Sequence, residues 1–104
     1  MSKRRLMKPV AYLQAATAEM ERSAVWYEKR QQDLGRRFHA AIKEAEVFIS
    51  KNPHLGTPHR RNTRKWRVPD FPYNLIYREE AERILICAVA HAKRRPGYWL
   101  RRLR

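Results

Sequence analysis

Apolar positions recur along the first half of the chain at the spacing of a helix surface. Met20, Ala24, Tyr27, Gln31 and Leu34 step by four, three, four and three, which places a mostly apolar stripe on one helical face. Thr17 stands where an N-cap is needed, and Glu19 and Glu21 fall in the expected first turn, complementing the helix dipole. Gly35 then supplies a C-terminal stop or bend. Phe38, Ile42, Ala45 and Ile49 repeat the spacing, with Ala41 and Phe48 widening the stripe. Asn52-Pro53 ends this second helix, because proline cannot continue one and disfavours helix in the residue before it. Two helices so closely joined predict an antiparallel hairpin. Its solvent face, with Glu28, Lys29, Lys43, Glu44 and Glu46, is near neutral and reads as structural.

Elsewhere the pattern is that of strands. Pro9–Gln14 predicts a short first strand, with Val10 and Tyr12 on one face and Leu13 on the other. Residues 53–63 hold two prolines and a glycine with no periodicity, and predict a loop. In Arg64–Val68, Trp66 and Val68 alternate with cations, so one set turns inward and the other outward. Asp70-Phe71-Pro72 makes a turn into a strand over Tyr73–Tyr77, and Glu79–Glu82 links it to Ile84–Ala90 as a hairpin. That last run, ILICAVA, has only the weakly polar Cys87 among aliphatics and suits a strand covered on both faces. The order is strand, two-helix hairpin, then a three-stranded antiparallel meander. It predicts an α+β fold with the helices packed on one face of a small twisted sheet. The chain reads as one domain over 1–104, with a basic N-terminal arm at 1–8 and a basic C-terminal tail at 97–104.

Charge narrows the partners. The chain carries a formal net charge of +14. Residues 17–51 hold seven basic and six acidic side chains, so the other 69 positions carry 17 basic and four acidic ones, a net of +13. No acid follows Glu82. Such an excess calls for an acidic partner: nucleic acid, a ribosome-like surface or an acidic protein. No apolar run approaches the roughly 18 residues of a membrane span, and the basic N-terminus lacks the apolar stretch of a signal peptide. A lone cysteine inside ILICAVA fits core filler in a reduced cytosolic protein.

Several chemistries are excluded. The only glycines are Gly35, Gly56 and Gly97, so there is no phosphate-binding loop, and neither a nucleophile elbow nor HExxH occurs. His54 and His59 have no Cys or carboxylate beside them to complete a metal site. No metal or cofactor is expected. Cations interleave with aromatics in two places, Arg60–Arg67 and Lys93–Arg104. Arginine offers bidentate phosphate contacts and aromatics stack on bases, so Arg64, Lys65, Arg67, Arg94, Arg95, Tyr98 and Trp99 are the candidate target-binding residues. The bland reading for Tyr98 and Trp99 is that they cap the core beneath the helices. A metal-free ribonuclease needs a base, a proton donor and cations; Arg67, His91, Arg95 and Tyr98 are the available groups.

The sequence also resembles a known family over nearly its whole length. The marks are Ala24-Val25-Trp26-Tyr27-Glu28, Leu34-Gly35-x-x-Phe38 and Asn52-Pro53-x-x-Gly56, followed by Phe71-Pro72-Tyr73-x-x-x-Tyr77 and Ile86-x-Ala88-Val89-x-His91-x-x-x-Arg95-Pro96-x-Tyr98-Trp99. In this order they resemble the RelE/ParE superfamily of toxins from type II toxin–antitoxin modules. The resemblance implies the α+β fold, bacterial cytoplasm, and a small acidic antitoxin bound in a hetero-oligomer. RelE-like members cut mRNA on the ribosome with basic residues and often a C-terminal tyrosine; ParE-like members lack that set and poison DNA gyrase. FPYxxxY and HxxxRPxYW look more like the ParE-like side, while Arg67, Arg95 and Tyr98 mimic the nuclease set. The resemblance implies gyrase poisoning or, as the alternative, ribosome-dependent mRNA cleavage; the charge by itself leaves a basic nucleic-acid-binding module as a further alternative.

Overall fold

The computed structural model describes residues 7–103. Strand β1 (Val10–Tyr12) pairs in parallel with β5 (Ile84–His91), Val10 opposite Ile84 and Tyr12 opposite Ile86. The Leu13 N–H donates to the Ile86 carbonyl at 3.0 Å, and the chain passes directly into α1 (Gln14–Arg30). Extended Leu13 is the N-cap, and its carbonyl accepts from the N–H groups of Ala16 and Thr17. The helix therefore begins ahead of Thr17, which is not its cap, and Glu19 lies beyond the first turn. A strand fixed by its ladder starts the helix without a capping side chain.

The hairpin between α1 and α2 (Leu34–Lys51) is closed by Glu28 rather than by Gly35 acting as a stop. Its two carboxylate oxygens accept from the N–H groups of Asp33 and Gly35, each at 2.9 Å, and so cap the positive end of α2 from the neighbouring helix. Gly35 is buried in the first turn of α2, where an added Cβ would meet the Ala24 carbonyl oxygen at 2.6 Å. Its role is close approach of two helices. Gly35→Ala should therefore lower stability by about 1–3 kcal/mol through forced separation, read as a drop in the denaturation midpoint. A midpoint equal to wild type would mean that the hairpin is not in contact here. As the stripe predicts, α2 buries Phe38, Ala41, Ile42, Ala45 and Ile49 and ends at Asn52.

Residues 53–63 are not all loop. Thr57–His59 form β2, antiparallel to β3 (Thr63–Arg67), across a turn in which Arg61 and Asn62 adopt left-handed backbone at φ 57° and 60°. Pro58 hid this strand, yet proline is tolerated because β2 lies at the sheet edge. Strands β3, β4 (Tyr73–Glu79) and β5 form the expected meander, and the five-stranded order is β1-β5-β4-β3-β2.

β5 is buried on both faces, as its composition demands. Ile84, Ile86 and Val89 join Leu75, Tyr77 and the helices in the main core. Leu85, Cys87, Ala88 and Ala90 join Ile76 on the other face, under Trp99. The register passes from Tyr77↔Ile86 to Ile76↔Ala88, so Cys87 is an extra residue in β5 and forms a bulge. The supposed tail is thus structural: Leu100–Leu103 form a 3-10 turn, with Trp99, Leu100 and Leu103 lying on this second face. Trp99 covers the core opposite the helices, not beneath them. Of the basic arm, residues 1–6 lie outside the described residues, as does Arg104; Lys8 Nζ sits 2.9 Å from Glu79 Oε2.

Candidate functional site

Directly paired residues share a face of an antiparallel sheet, which sorts the candidate cations. Lys65 opposes Ile76, and Arg67 opposes Asn74, which in turn opposes Ala90. Both cations therefore lie on the face away from the helices, with Arg67 exposed and Lys65 half-buried. Arg64 opposes Tyr77 on the helix side, where its guanidinium donates to the Gly56 carbonyl at 2.8 Å. It braces the loop before β2 and does not join Lys65 and Arg67. Trp66 also turns to the helices and stacks on Phe48, ring centroids 4.2 Å apart.

The chain leaves β5 at the same end of the sheet as Arg67, since the Ala92 N–H donates to the Pro72 carbonyl at 2.7 Å. Arg94 and Arg95 are exposed on this exit turn. His91 opposes Tyr73 and packs edge-on against its ring at 5.0 Å, on the helix side. Its Nδ1 accepts from the Lys93 N–H at 3.0 Å. The structure thus puts Lys65 and Arg67 on the second face, brings the exposed Arg94 and Arg95 to the Arg67 end of the sheet, and sets His91 on the helix side. Trp99, 1% exposed, is a core residue with His59 against its ring at 5.5 Å.

Tyr98 is held by a residue that sequence reasoning assigned elsewhere. Its hydroxyl donates to Glu19 Oε2 at 2.6 Å, and Arg94 lies over its ring at 3.7 Å. Glu19 is buried, and also receives the Val89 N–H at 3.0 Å and the Arg102 guanidinium at 2.8 and 2.9 Å. Arg102 in turn donates to the carbonyl of the bulged Cys87 at 3.0 Å. β1 pairs only with Ile84–Ile86, so Glu19 and Arg102 satisfy backbone groups of β5 beyond it. Burial opposes ionisation of Glu19, but Arg102, Tyr98 and the Val89 N–H outweigh it and hold the carboxyl below its ordinary value. Burial and the Glu19 carboxylate push the Tyr98 hydroxyl well above the usual tyrosine range. Burial raises the Cys87 thiol to about 11, so it is no nucleophile at neutral pH.

Comparison with known proteins decides the family. The model of the ParE toxin of the type II toxin–antitoxin system, parDE, matches residues 10–96. The chain belongs to the ParE toxin family. Its fold is similar to a chain of the chromosomal ParDE toxin–antitoxin system from P. aeruginosa, at 14% identity and TM-score 0.66, covering 84% of this chain and 98% of that one. It is likewise similar to a chain of the RelBE2 toxin–antitoxin complex from Mycobacterium tuberculosis, at 22% identity and TM-score 0.59, covering 88% of this chain and 100% of that one. No curated protein gives a significant match.

This ParE-family toxin has a second distinctive surface on its helical side. A groove of about 520 Å³ is lined by Arg22, Trp26, Tyr27, Pro72, Tyr73 and His91. Trp26 is 50% exposed, with the Arg30 guanidinium 3.5 Å from its ring centre. Among the described residues no three metal-ligating side chains cluster, and no helix is long and apolar enough to cross a membrane. Sequence reasoning missed Glu19 and Arg102. The available signals were Glu19 bordering the stripe Ala16, Met20, Ala24, and Arg102 flanked by the apolar Leu100 and Leu103.

Proposed function

We propose that this toxin arrests bacterial growth by binding, as a poison of DNA gyrase, and is held in check in the cytoplasm by a small acidic antitoxin. The observation that carries the choice is the dispersal of the groups a metal-free ribonuclease would use. Arg67 and His91 lie on opposite faces of the sheet, and the Tyr98 hydroxyl is engaged by Glu19. General acid–base catalysis requires donor and acceptor within hydrogen-bond reach of one substrate position. Exposed cations without a convergent acid and base suit binding better than cleavage. The antitoxin reading is supported by family membership and by the similar fold found in two toxin–antitoxin systems. Exposed Val25, Trp26, Val47 and Leu55 offer apolar anchors on and beside the helical hairpin.

Arg67→Ala/Arg95→Ala should relieve growth arrest on induction while folding and antitoxin binding persist. Tyr98 is spared because its loss would disturb the Glu19 cluster. Wild-type induction should produce gyrase–DNA cleavage complexes and a DNA-damage response. Ribosome-dependent mRNA cuts in their place would establish the ribonuclease reading. Full toxicity in the folded double variant would remove these arginines from the target site.

A further inference from the structure

We propose that the cations flanking the C-terminal turn on the side of the sheet away from the helices, Lys65, Arg67, Arg94 and Arg95, dock on the phosphate backbone of duplex DNA. Lys65 and Arg67 project from the same side of β3, roughly 6–7 Å apart along the strand, and the β5 exit turn brings Arg94 and Arg95 to the Arg67 end. Arg60 and Arg61 extend the array at the β2–β3 turn, both exposed. Among the described residues none of these six cations is in an ion pair with a carboxylate. Asp70, in the turn after β3, pairs with none of them. Six unpaired cations repel one another and are offset by a dense line of negative charge, which duplex DNA supplies at about one charge per 1.7 Å of axis.

The chemistry of this face selects among anionic partners. An acidic protein needs an apolar patch to bury at the centre of its interface. Among the described residues the exposed large apolar side chains are Met7, Val25, Trp26, Val47 and Leu55, on the helices or the segments beside them rather than on this face. A single strand needs free aromatic faces for its bases. Here Trp99 is buried and the Tyr98 ring is covered by Arg94. What remains is phosphate contact without base stacking, the mode of a duplex. The choice of DNA over duplex RNA rests on the gyrase reading above.

The test needs no gyrase. Binding of the full chain to a short labelled DNA duplex is followed by fluorescence anisotropy across a salt series. Lys65→Gln/Arg67→Gln/Arg95→Gln should flatten the slope of log affinity against log salt by about 2.7, so the wild-type advantage shrinks about 40-fold between 50 and 200 mM salt. Lys29→Gln/Arg36→Gln/Lys43→Gln removes equal charge from the helical hairpin and should leave the slope near that of wild type. Equal flattening by both sets would mean diffuse attraction and overturn the site. Wild-type binding to duplex RNA, single-stranded DNA or polyglutamate as tight as to duplex DNA would overturn the partner, even if the triple variant failed to fold. Gyrase cleavage complexes formed by a toxin that fails these DNA tests would sink the docking surface and leave the gyrase reading intact.

Discussion

Glu19→Ala is expected to lower stability by about 3–5 kcal/mol, the range for removing one partner of a buried ion pair. The carboxylate side chain is 6% exposed and its partner Arg102 only 21%. Truncation strands the guanidinium, the Val89 N–H and the Tyr98 hydroxyl together. Urea denaturation at neutral pH reads the loss directly. Because the Glu19 carboxyl is held below its ordinary value of 4.5 despite burial, its contribution is fully present above that value. It disappears as pH falls through the lower folded value. Wild type should therefore lose its advantage over the alanine variant in acid. An advantage unchanged on acidification, or no difference at neutrality, would refute the cluster as a fastener of α1, β5 and the C-terminal turn. Glu19→Leu/Arg102→Leu should recover part of the loss, since no charge is then left buried alone.

Phe38→Ala is the second large effect, also about 3–5 kcal/mol. Phe38 is fully buried, with the rings of Tyr27, Phe71 and Tyr73 at 5.3, 5.1 and 5.0 Å. The substitution removes its apolar burial and three aromatic contacts at once, and the small neighbour Ala41 cannot fill the space. The thermal midpoint should fall on the order of 15–30 °C. Trp26→Ala, on the exposed side of α1, provides the comparison. A shift no larger than that of Trp26→Ala would show that the aromatic cluster is not the core of the domain.

These two residues mark what could be read from the chain. Phe38 belongs to a stripe of local period, and a period of a few residues is visible without knowing any distant partner. The two-sided burial of Ile84–Ala90 was legible for the same reason. What covers its second face was not, because in PGYWLRRL the arginines mask the apolar set Trp99, Leu100 and Leu103. Glu19 finds its partners 70 to 83 positions away, and no local pattern encodes them. Strand β2 was obscured by Pro58, and the bulge at Cys87 lies in a uniformly apolar run where register leaves no mark. The period of two already sets Arg64 apart from Lys65 and Arg67, but only the strand register shows which face each set takes.

The adjacency of β1 and β5 also bears on when the protein can assemble. β5 lies between β1 and β4, yet it is the last of these five strands in chain order. Until residues 84–91 leave the ribosome, β1 has no sheet neighbour and β4 lacks the one on its inner side. The turn that covers the second face follows later still. Domains tend to fold from the N-terminus during synthesis, but this topology leaves the sheet open until β5 has emerged and makes closure depend on long-range pairing, which is slow. The nascent sheet therefore stays open until residue 91 has emerged, and Arg67 shares its end of the sheet with Arg94 and Arg95 only after that point.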